Sequence, residues 1–448
     1  MAEPASGLRR SIGLWRASAI VTGIIIGASI FVQPSAIIEA VPHAGAAVAV
    51  WFGAGLLTLI GALVIAELSS AWPASGGVYV FLRRAFSPAL GFLWGWAMFW
   101  SMHTGIIAAI AMVFGRYAGT FIAVGDTGTK AMAIAAMLVL SAVNYRGVEH
   151  GSGLQVALTL VKVGALVLII GVAFLLGDPA GPSSVPGTEG ASAGGAVTAD
   201  GIIKALIAGL FAYGGWHMVS YTAEETVDPT RTIPKALLIG TLTVTVLYVL
   251  ANAAYLHVLS VQRVAASTRV AAELADVIFG PFGGRVVSAL VMLSALGAMN
   301  GVILAGPRVY QAMAADGLLF KWAAAVHPRF GTPHRAIALQ AAWAVVLIGT
   351  GTYRALFTRV VYTEWIFFAL LALALFTMRR RTEYAPRYRA WGYPVLPALF
   401  IVSSVVIVIN QLVRDPREAS IGLAIVLAGL PVHYVWSRRT RGGARTSA

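Results

Sequence analysis

The sequence predicts an all-α membrane protein with twelve spanning helices, two of them broken. Three observations carry that reading. The 448 residues are 58% hydrophobic and only 11% charged, against roughly 25% charged in soluble domains. The mean hydropathy of +0.81 leaves more apolar surface than a soluble core can hide. The apolar residues also gather into runs near the roughly 20 residues that cross a hydrocarbon core about 30 Å thick.

The first run, 17–38, follows Arg9, Arg10 and Arg16 as the core of a signal peptide would. It is too long for that role, lacks a clear small-x-small cleavage site, and precedes eleven more runs, so it is read as a span. Runs two to five are 44–66, 86–115, a short 131–145, and 153–176. The loop 177–201 is rich in Gly, Ser, Pro and Ala, and carries Asp178, Glu189 and Asp200 without Lys or Arg. Runs six to ten are 202–222, 236–258, 286–315, 336–353 and 358–378. Two more, 393–413 and 419–437, precede a basic tail, 438–448, with Arg438, Arg439 and Arg441. No segment is long enough for a separate soluble domain.

The net charge of +14 would suit a nucleic-acid binder. Here the basic residues lie in short loops between apolar runs, where the positive-inside rule explains them. With the N-terminus cytoplasmic, 21 of the 32 fall on the inner side and 10 on the outer, with Lys162 inside a span. Arg379, Arg380, Arg381 and the tail dominate that count. The expectation is a multi-pass cell-membrane protein with both termini cytoplasmic, the lipid bilayer as its surroundings and no nucleic acid. The absence of cysteine excludes disulfides, thiolate metal sites and a disulfide-linked partner. No HExxH, EF-hand, GxSxG or Walker A pattern occurs, so neither metal nor cofactor is expected and an enzyme is the poorest fit. No ring-forming filter sequence suggests a channel.

Two spans are unusual. The first reads Gly23-Ile24-Ile25-Ile26-Gly27-Ala28-Ser29-Ile30-Phe31, with Pro34 after it; the sixth reads Phe211-Ala212-Tyr213-Gly214-Gly215-Trp216. Small residues four apart, such as Gly23 and Gly27, serve close helix packing equally well. An offset of five spans, however, makes the two segments enter the membrane from opposite sides. Paired glycine-interrupted helices in halves of opposite topology point to an inverted-repeat transporter. Each break frees backbone N–H groups, which can hold a carboxylate, and carbonyls, which can hold an ammonium or a cation.

With those motifs in order, the chain resembles the amino acid–polyamine–organocation superfamily of permeases, and within it the L-type amino acid transporter branch. The first span is similar to the family's G-x-I-x-G-S-G-I-F. Residues 67–79, from Glu67 to Tyr79, resemble E-L-x-x-x-x-P-x-S-G-G-x-Y. Residues 211–216 match F-A-Y-G-G-W, and residues 224–235 match E-E-x-x-x-P-x-R-x-I-P-[RK]. Residues 297–308 resemble its eighth helix. The resemblance implies a five-plus-five inverted repeat of the LeuT-like kind within 1–378, its halves about 17–176 and 202–378, followed by two additional helices within 393–437. It implies that a substrate carboxylate meets the backbone at Gly27, Ala28 and Ser29. The substrate amine would meet carbonyls near Ile25 and Ile26 and near Phe211, Ala212 and Gly214, with Phe211 as a gate. Two positions depart from the pattern: Ala28 stands where the family has Ser, and Ser29 where it has Gly. Either the Ser29 hydroxyl replaces the missing donor or the pocket is smaller. His217 follows Trp216, where many L-type members carry Asn.

A mid-span lysine is expensive, about 2.5–3.5 kcal/mol on insertion scales, so Lys162 needs a partner or a role. Gln155 and Lys162 have the seven-residue spacing of L-type members. The resemblance implies an ammonium in the place a sodium ion holds in related symporters, bridging span one to spans five and eight. Transport would then not need sodium, though proton coupling at the same residue stays open. Asn300 is expected near that lysine, in a coupling role or as an interhelical hydrogen bond. Glu364 is expected to pair with Arg359 at the interface, or else to carry a proton. His217, beside the broken helix, is a candidate substrate contact, histidine being the side chain that titrates near neutral pH, or else is satisfied by a hydrogen bond to backbone. Glu67, Glu224 and Glu225 are expected to form gate or loop salt bridges with Arg83, Arg84 and Arg231. Trp94, Trp96 and Trp100 read as packing or interface anchors.

The sequence thus predicts sodium-independent transport of neutral L-amino acids by alternating access, as an exchanger. The rivals are a proton-coupled symporter and a non-transporting amino acid sensor.

Overall fold

The computed structural model describes residues 7–122, 124–179, 196–267, 269–280 and 282–445. Most of the loop expected outside the membrane, 180–195 with Glu189, falls outside those residues, as do the last three of the tail. The described residues form helices, with one isolated bridge between Ile12 and Thr226.

The first run is two helices, α1 (Leu14–Ile25) and α2 (Ser29–Ala40), bent by 46° at their junction. Next come α3 (Ala44–Ala71) and a short α4 (Val78–Ala85). Then α5 (Pro88–Ala97) continues through one π turn, Met98–Met102, into α6 (His103–Ala118). α7 (Asp126–Tyr145) is longer than its apolar run suggested, and α8 is Val148–Leu176. α9 (Ala199–Ala212) gives way after three residues to a 3₁₀ segment, Trp216–Glu225, before α10 (Pro229–Val258). The loop that follows holds α11 (Val261–Ala266) and α12 (Val270–Phe279), which no apolar period announced. α13 (Phe282–Ala305) and α14 (Pro307–Ala315) are nearly continuous. Past a 3₁₀ turn lie α15 (His334–Thr350), α16 (Tyr353–Arg379), α17 (Val395–Arg414), α18 (Pro416–Leu427) and α19 (Gly429–Arg445).

Among the described residues ten helical stretches are long and apolar enough to cross a membrane, and the bent pair α1–α2 makes eleven. α15 is apolar but only 17 residues long. A helix satisfies all its own backbone polar groups, which is why apolar runs of this length have no other stable form in lipid. Local chemistry sets the ends: Ser87 accepts from Leu90 N at the start of α5, Thr198 from Gly201 N at α9, and proline opens α5, α10 and α14.

α1 lies at the centre, packed on α8, α10 and α13. Lipid offers no hydrophobic drive between helices, so close contact depends on small residues and buried hydrogen bonds. Gly23 shows this: a Cβ there would collide with the Gln155 and Thr159 side chains of α8. The packing role considered for the Gly23–Gly27 pair therefore holds for Gly23. At Gly27 a Cβ would meet Ala298 at an ordinary 3.6 Å, so packing does not require that glycine.

Candidate functional site

Both breaks lie where the glycine-containing runs predict them. Ile26, Gly27 and Ala28 separate α1 from α2, with Ile26 at φ −71°, ψ 88°. Tyr213, Gly214 and Gly215 separate α9 from the 3₁₀ segment. Gly215 has φ +93° and a Cβ there would strike Ile24, so the second break needs glycine for its backbone and for its contact with the first.

Tyr248, Lys162 and Ser294, from outside the motifs, and Ser29, from within the first, hold carbonyls at the breaks. Tyr248 of α10 donates its hydroxyl to Ile25 O at 2.9 Å and to Ala212 O at 3.3 Å, tying the two breaks together. Ser29 donates to Ala212 O at 3.4 Å. Lys162 Nζ donates to Gly23 O and Ile26 O, each at 2.7 Å, and to Ser294 O at 3.2 Å. Ser294 Oγ lies 3.3 Å from Ile26 O and from Gly27 O. The ammonium thus bridges the first break to α8 and α13, with neutral carbonyls rather than a carboxylate as partners. Nothing in the sequence motifs marked Tyr248 or Ser294. The expected effect of Tyr248→Phe is a loss of about 0.5–1.5 kcal/mol, since the two carbonyls lose this donor but keep Gly27 N and the Ser29 hydroxyl. Thermal unfolding in detergent reads this, and an unchanged midpoint would refute it.

One cavity of about 340 Å³ opens beside the breaks, at the small end of the roughly 300–1,000 Å³ typical of ligand pockets. Ile25, Gly27, Ala28, Ser29, Phe211, Ala212, Gly214 and Glu364 line it. Its wall also holds Ile24, Ile110, Val113, Val302, Trp365 and Phe368, so it is largely apolar. The N-terminal turn of α2 faces it, and no side chain caps that turn. Its N–H groups carry the partial positive charge of a helix start. Ile26 does not line the cavity; its carbonyl is occupied by Lys162.

Three placements correct the sequence reading. Arg359 pairs with Glu418, not Glu364. Glu364 instead stands on the cavity wall, with Oε1 3.6 Å from His217 Nε2. His217 is not on the cavity surface: it is fully buried among Trp94, Tyr221 and Phe368. Of the two roles left open for Asn300, the contacts are those of an interhelical hydrogen bond: it donates to Gln155 Oε1 at 2.7 Å and accepts from Asn144 at 2.8 Å.

Past the breaks, towards the N-terminal segment, the bundle is closed by paired charges. Glu225 receives two hydrogen bonds from Arg308, at 2.7 and 2.8 Å, with both side chains buried. Glu67 pairs with Arg379 at 2.5 Å, and Glu224 accepts from Ser75 N. The expected partners Arg83 and Arg231 bind Asp316 and Asp228 instead, while Arg84 stacks over the Trp72 ring. Burial, and then the hydrogen bond to Asp316, hold the Tyr79 phenol protonated far above its ordinary range. In the opposite direction the cavity reaches Val32, Gln33 and Phe211, and Val32 and Phe211 are 45% and 43% exposed.

The comparisons fit this architecture. Residues 12–431 match the family model described as amino acid permease. Over 438 residues the chain is 31% identical to the "Serine/threonine exchanger SteT" of Bacillus subtilis (strain 168), covering 97% of this chain and 98% of that protein. It is 31% identical over 433 residues to the "Large neutral amino acids transporter small subunit 2" of Oryctolagus cuniculus (96% and 80%). It is also 28% identical over 444 residues to the human "Cystine/glutamate transporter" (97% and 87%). The chain belongs to the amino acid permease family.

Proposed function

We propose that this protein exchanges neutral L-amino acids across the cell membrane by alternating access, without sodium. The observation that carries this reading is the pair of helix breaks facing one small apolar cavity, with an uncapped helix start on its wall. A zwitterion places opposite charges about one residue apart, which suits a helix N-terminus for its carboxylate and broken-helix carbonyls for its ammonium. In this reading the N–H groups at Ala28 and Ser29 take the carboxylate, joined by Gly27 once its N–H leaves Ile25 O, to which it donates at 2.8 Å. The ammonium meets the carbonyls around Ile25, Phe211 and Ala212, displacing the Tyr248 and Ser29 hydroxyls that hold two of them, and Phe211 closes over the bound molecule. No chemistry is done on the substrate.

Lys162 supports sodium independence. Three carbonyls surround its Nζ, a donor set that would otherwise suit a monovalent cation. The protein carries its own cation there and has no need to recruit one. The exchanger named in Bacillus subtilis and the neutral amino acid transporter of the rabbit are relatives along nearly the whole chain, which supports exchange over sensing.

The same proposal includes twelve spans, α15 being the ninth. Residues 1–378 form a five-plus-five inverted repeat and 393–437 add two helices. Both termini are cytoplasmic, so the paired charges around Glu225 and Arg308 close the inner side and the cavity faces outward.

Uptake of labelled amino acids into proteoliposomes tests the reading. Vesicles preloaded with a neutral amino acid are expected to take up label equally with sodium or choline outside. Empty vesicles are expected to take up little. Uptake into empty vesicles driven by an acid exterior would replace exchange with proton symport. No uptake by folded protein would favour a sensor.

A further inference from the structure

A row of buried polar side chains leads away from the cavity wall at Glu364. His217 Nε2 lies 3.6 Å from Glu364 Oε1. The His217 ring is 5.6 Å from that of Tyr221, and Tyr221 is 5.7 Å from His103. His103 Nδ1 is 2.9 Å from the Tyr310 hydroxyl. Along this row, both ring nitrogens of His217, the Tyr221 hydroxyl and His103 Nε2 are buried without a hydrogen-bond partner. Buried polar atoms are nearly always bonded to protein or ordered water, so four such atoms in one row mark a place built for water or a mobile proton. The row crosses three elements: the 3₁₀ segment, α6 and α14.

We propose that Glu364 and His217 together form a proton-binding site on the cavity wall, supplied through Tyr221, His103 and Tyr310, and that its occupancy sets the rate of exchange. The reacting group is a carboxylate–imidazole pair that titrates as a unit. A proton arriving from water along the row forms an O–H or N–H bond on the pair, and the wall gains one positive charge. Besides Tyr221, His103 and Tyr310, the charged groups on the surrounding elements are engaged elsewhere. Glu225 is held by Arg308, Glu67 by Arg379, Arg83 by Asp316 and Glu418 by Arg359. No described Lys or Arg pairs with Glu364, so in the cavity without substrate a bound proton is what neutralises it. With Glu364 ionised, the wall repels the substrate carboxylate; with a proton bound, that repulsion ends. Acid therefore speeds exchange.

The transport readout rests on the exchange proposed above, so a second readout is independent of it. Infrared difference spectra of the reconstituted protein between about pH 8 and about pH 5.5, the range in which an unperturbed imidazole changes charge, are expected to show a protonated-carboxyl band. That band is expected to disappear in Glu364→Gln and to shift in His217→Gln. Exchange by the unmodified protein is expected to rise several-fold over the same window, and the rate of Glu364→Gln to lose its pH dependence whatever its size. A missing band, or a band unaffected by Glu364→Gln, would overturn the site. A band with a flat exchange profile would overturn the rate effect. Absence of all exchange with the band present would count against the transport reading and leave the proton site standing.

Discussion

Lys162→Met is expected to abolish exchange while leaving a protein that inserts and folds less stably. The side chain is buried and its Nζ is shared by Gly23 O, Ile26 O and Ser294 O. Methionine keeps the volume and removes all three donated bonds. A buried carbonyl left without a donor costs about 1–3 kcal/mol. Two of the three belong to the break in the first span, which must keep its shape to present the α2 start to the cavity. A loss of about 2 kcal/mol or more there corresponds to at least a roughly 30-fold fall in exchange. Lys162→Arg is expected to fail as well, because a planar fork does not reproduce a compact three-donor ammonium. Gly297→Ala provides a control that leaves the lysine in place: its Cβ would come within 2.7 Å of Lys162 Cε, pushing the ammonium off its carbonyls. Uptake into preloaded vesicles and thermal unfolding in detergent measure both effects. Near-normal exchange by Lys162→Met would remove the lysine from the mechanism.

Arg308→Met is expected to open the closed end of the bundle. Arg308 and Glu225 are 1% and 0% exposed and share two hydrogen bonds. Removing one partner of a buried ion pair costs about 3–5 kcal/mol, because the other charge is left unpaired. Here that cost falls on the state in which this end is shut. The equilibrium is expected to move towards the opposite-facing state by a factor of about 100 or more. The chain has no native cysteine, so Ala298→Cys on the cavity wall gives a single reporter. Labelling by a membrane-impermeant thiol reagent from the Phe211 side is expected to slow sharply when Arg308→Met is added. The double replacement Glu225→Gln with Arg308→Met is expected to recover part of the rate, since no bare charge remains. Unchanged labelling in the single variant would show that the pair does not hold the gate.

The glycine-interrupted runs at 23–31 and 211–216 sit on real breaks. Gly23 serves packing against α8, but Gly27, Gly214 and Gly215 fall in the breaks themselves, and the pairing of two such runs five spans apart made the pattern legible. Lys162 was legible for a related reason: a lysine in mid-span must have a purpose. Its partners were not, because they are carbonyls, which every residue has. The Arg359–Glu364 pairing failed on helical geometry. Residues five apart on a helix of 3.6 residues per turn lie roughly 140° apart around the axis. Glu364 therefore turns inward to the cavity while Arg359 meets α18. His217 was misplaced because proximity to the break says nothing of direction: it lies in a 3₁₀ segment, 216–225, and packs among Trp94, Tyr221 and Phe368 instead of facing the cavity.

The amino acid sequence by itself determined the solvent, the helices and the two breaks. In lipid an apolar run must satisfy its own backbone, and only a helix does so locally. The tertiary structure alone decided that Tyr248 ties the two breaks together, that Lys162 bridges three carbonyls, that Arg308 locks Glu225, and that Glu364 meets His217. Each of those contacts joins residues far apart in the chain, and none leaves a period or spacing in the sequence. They depend on which faces of the packed helices meet, and small residues and buried polar groups settle that only once the bundle is assembled.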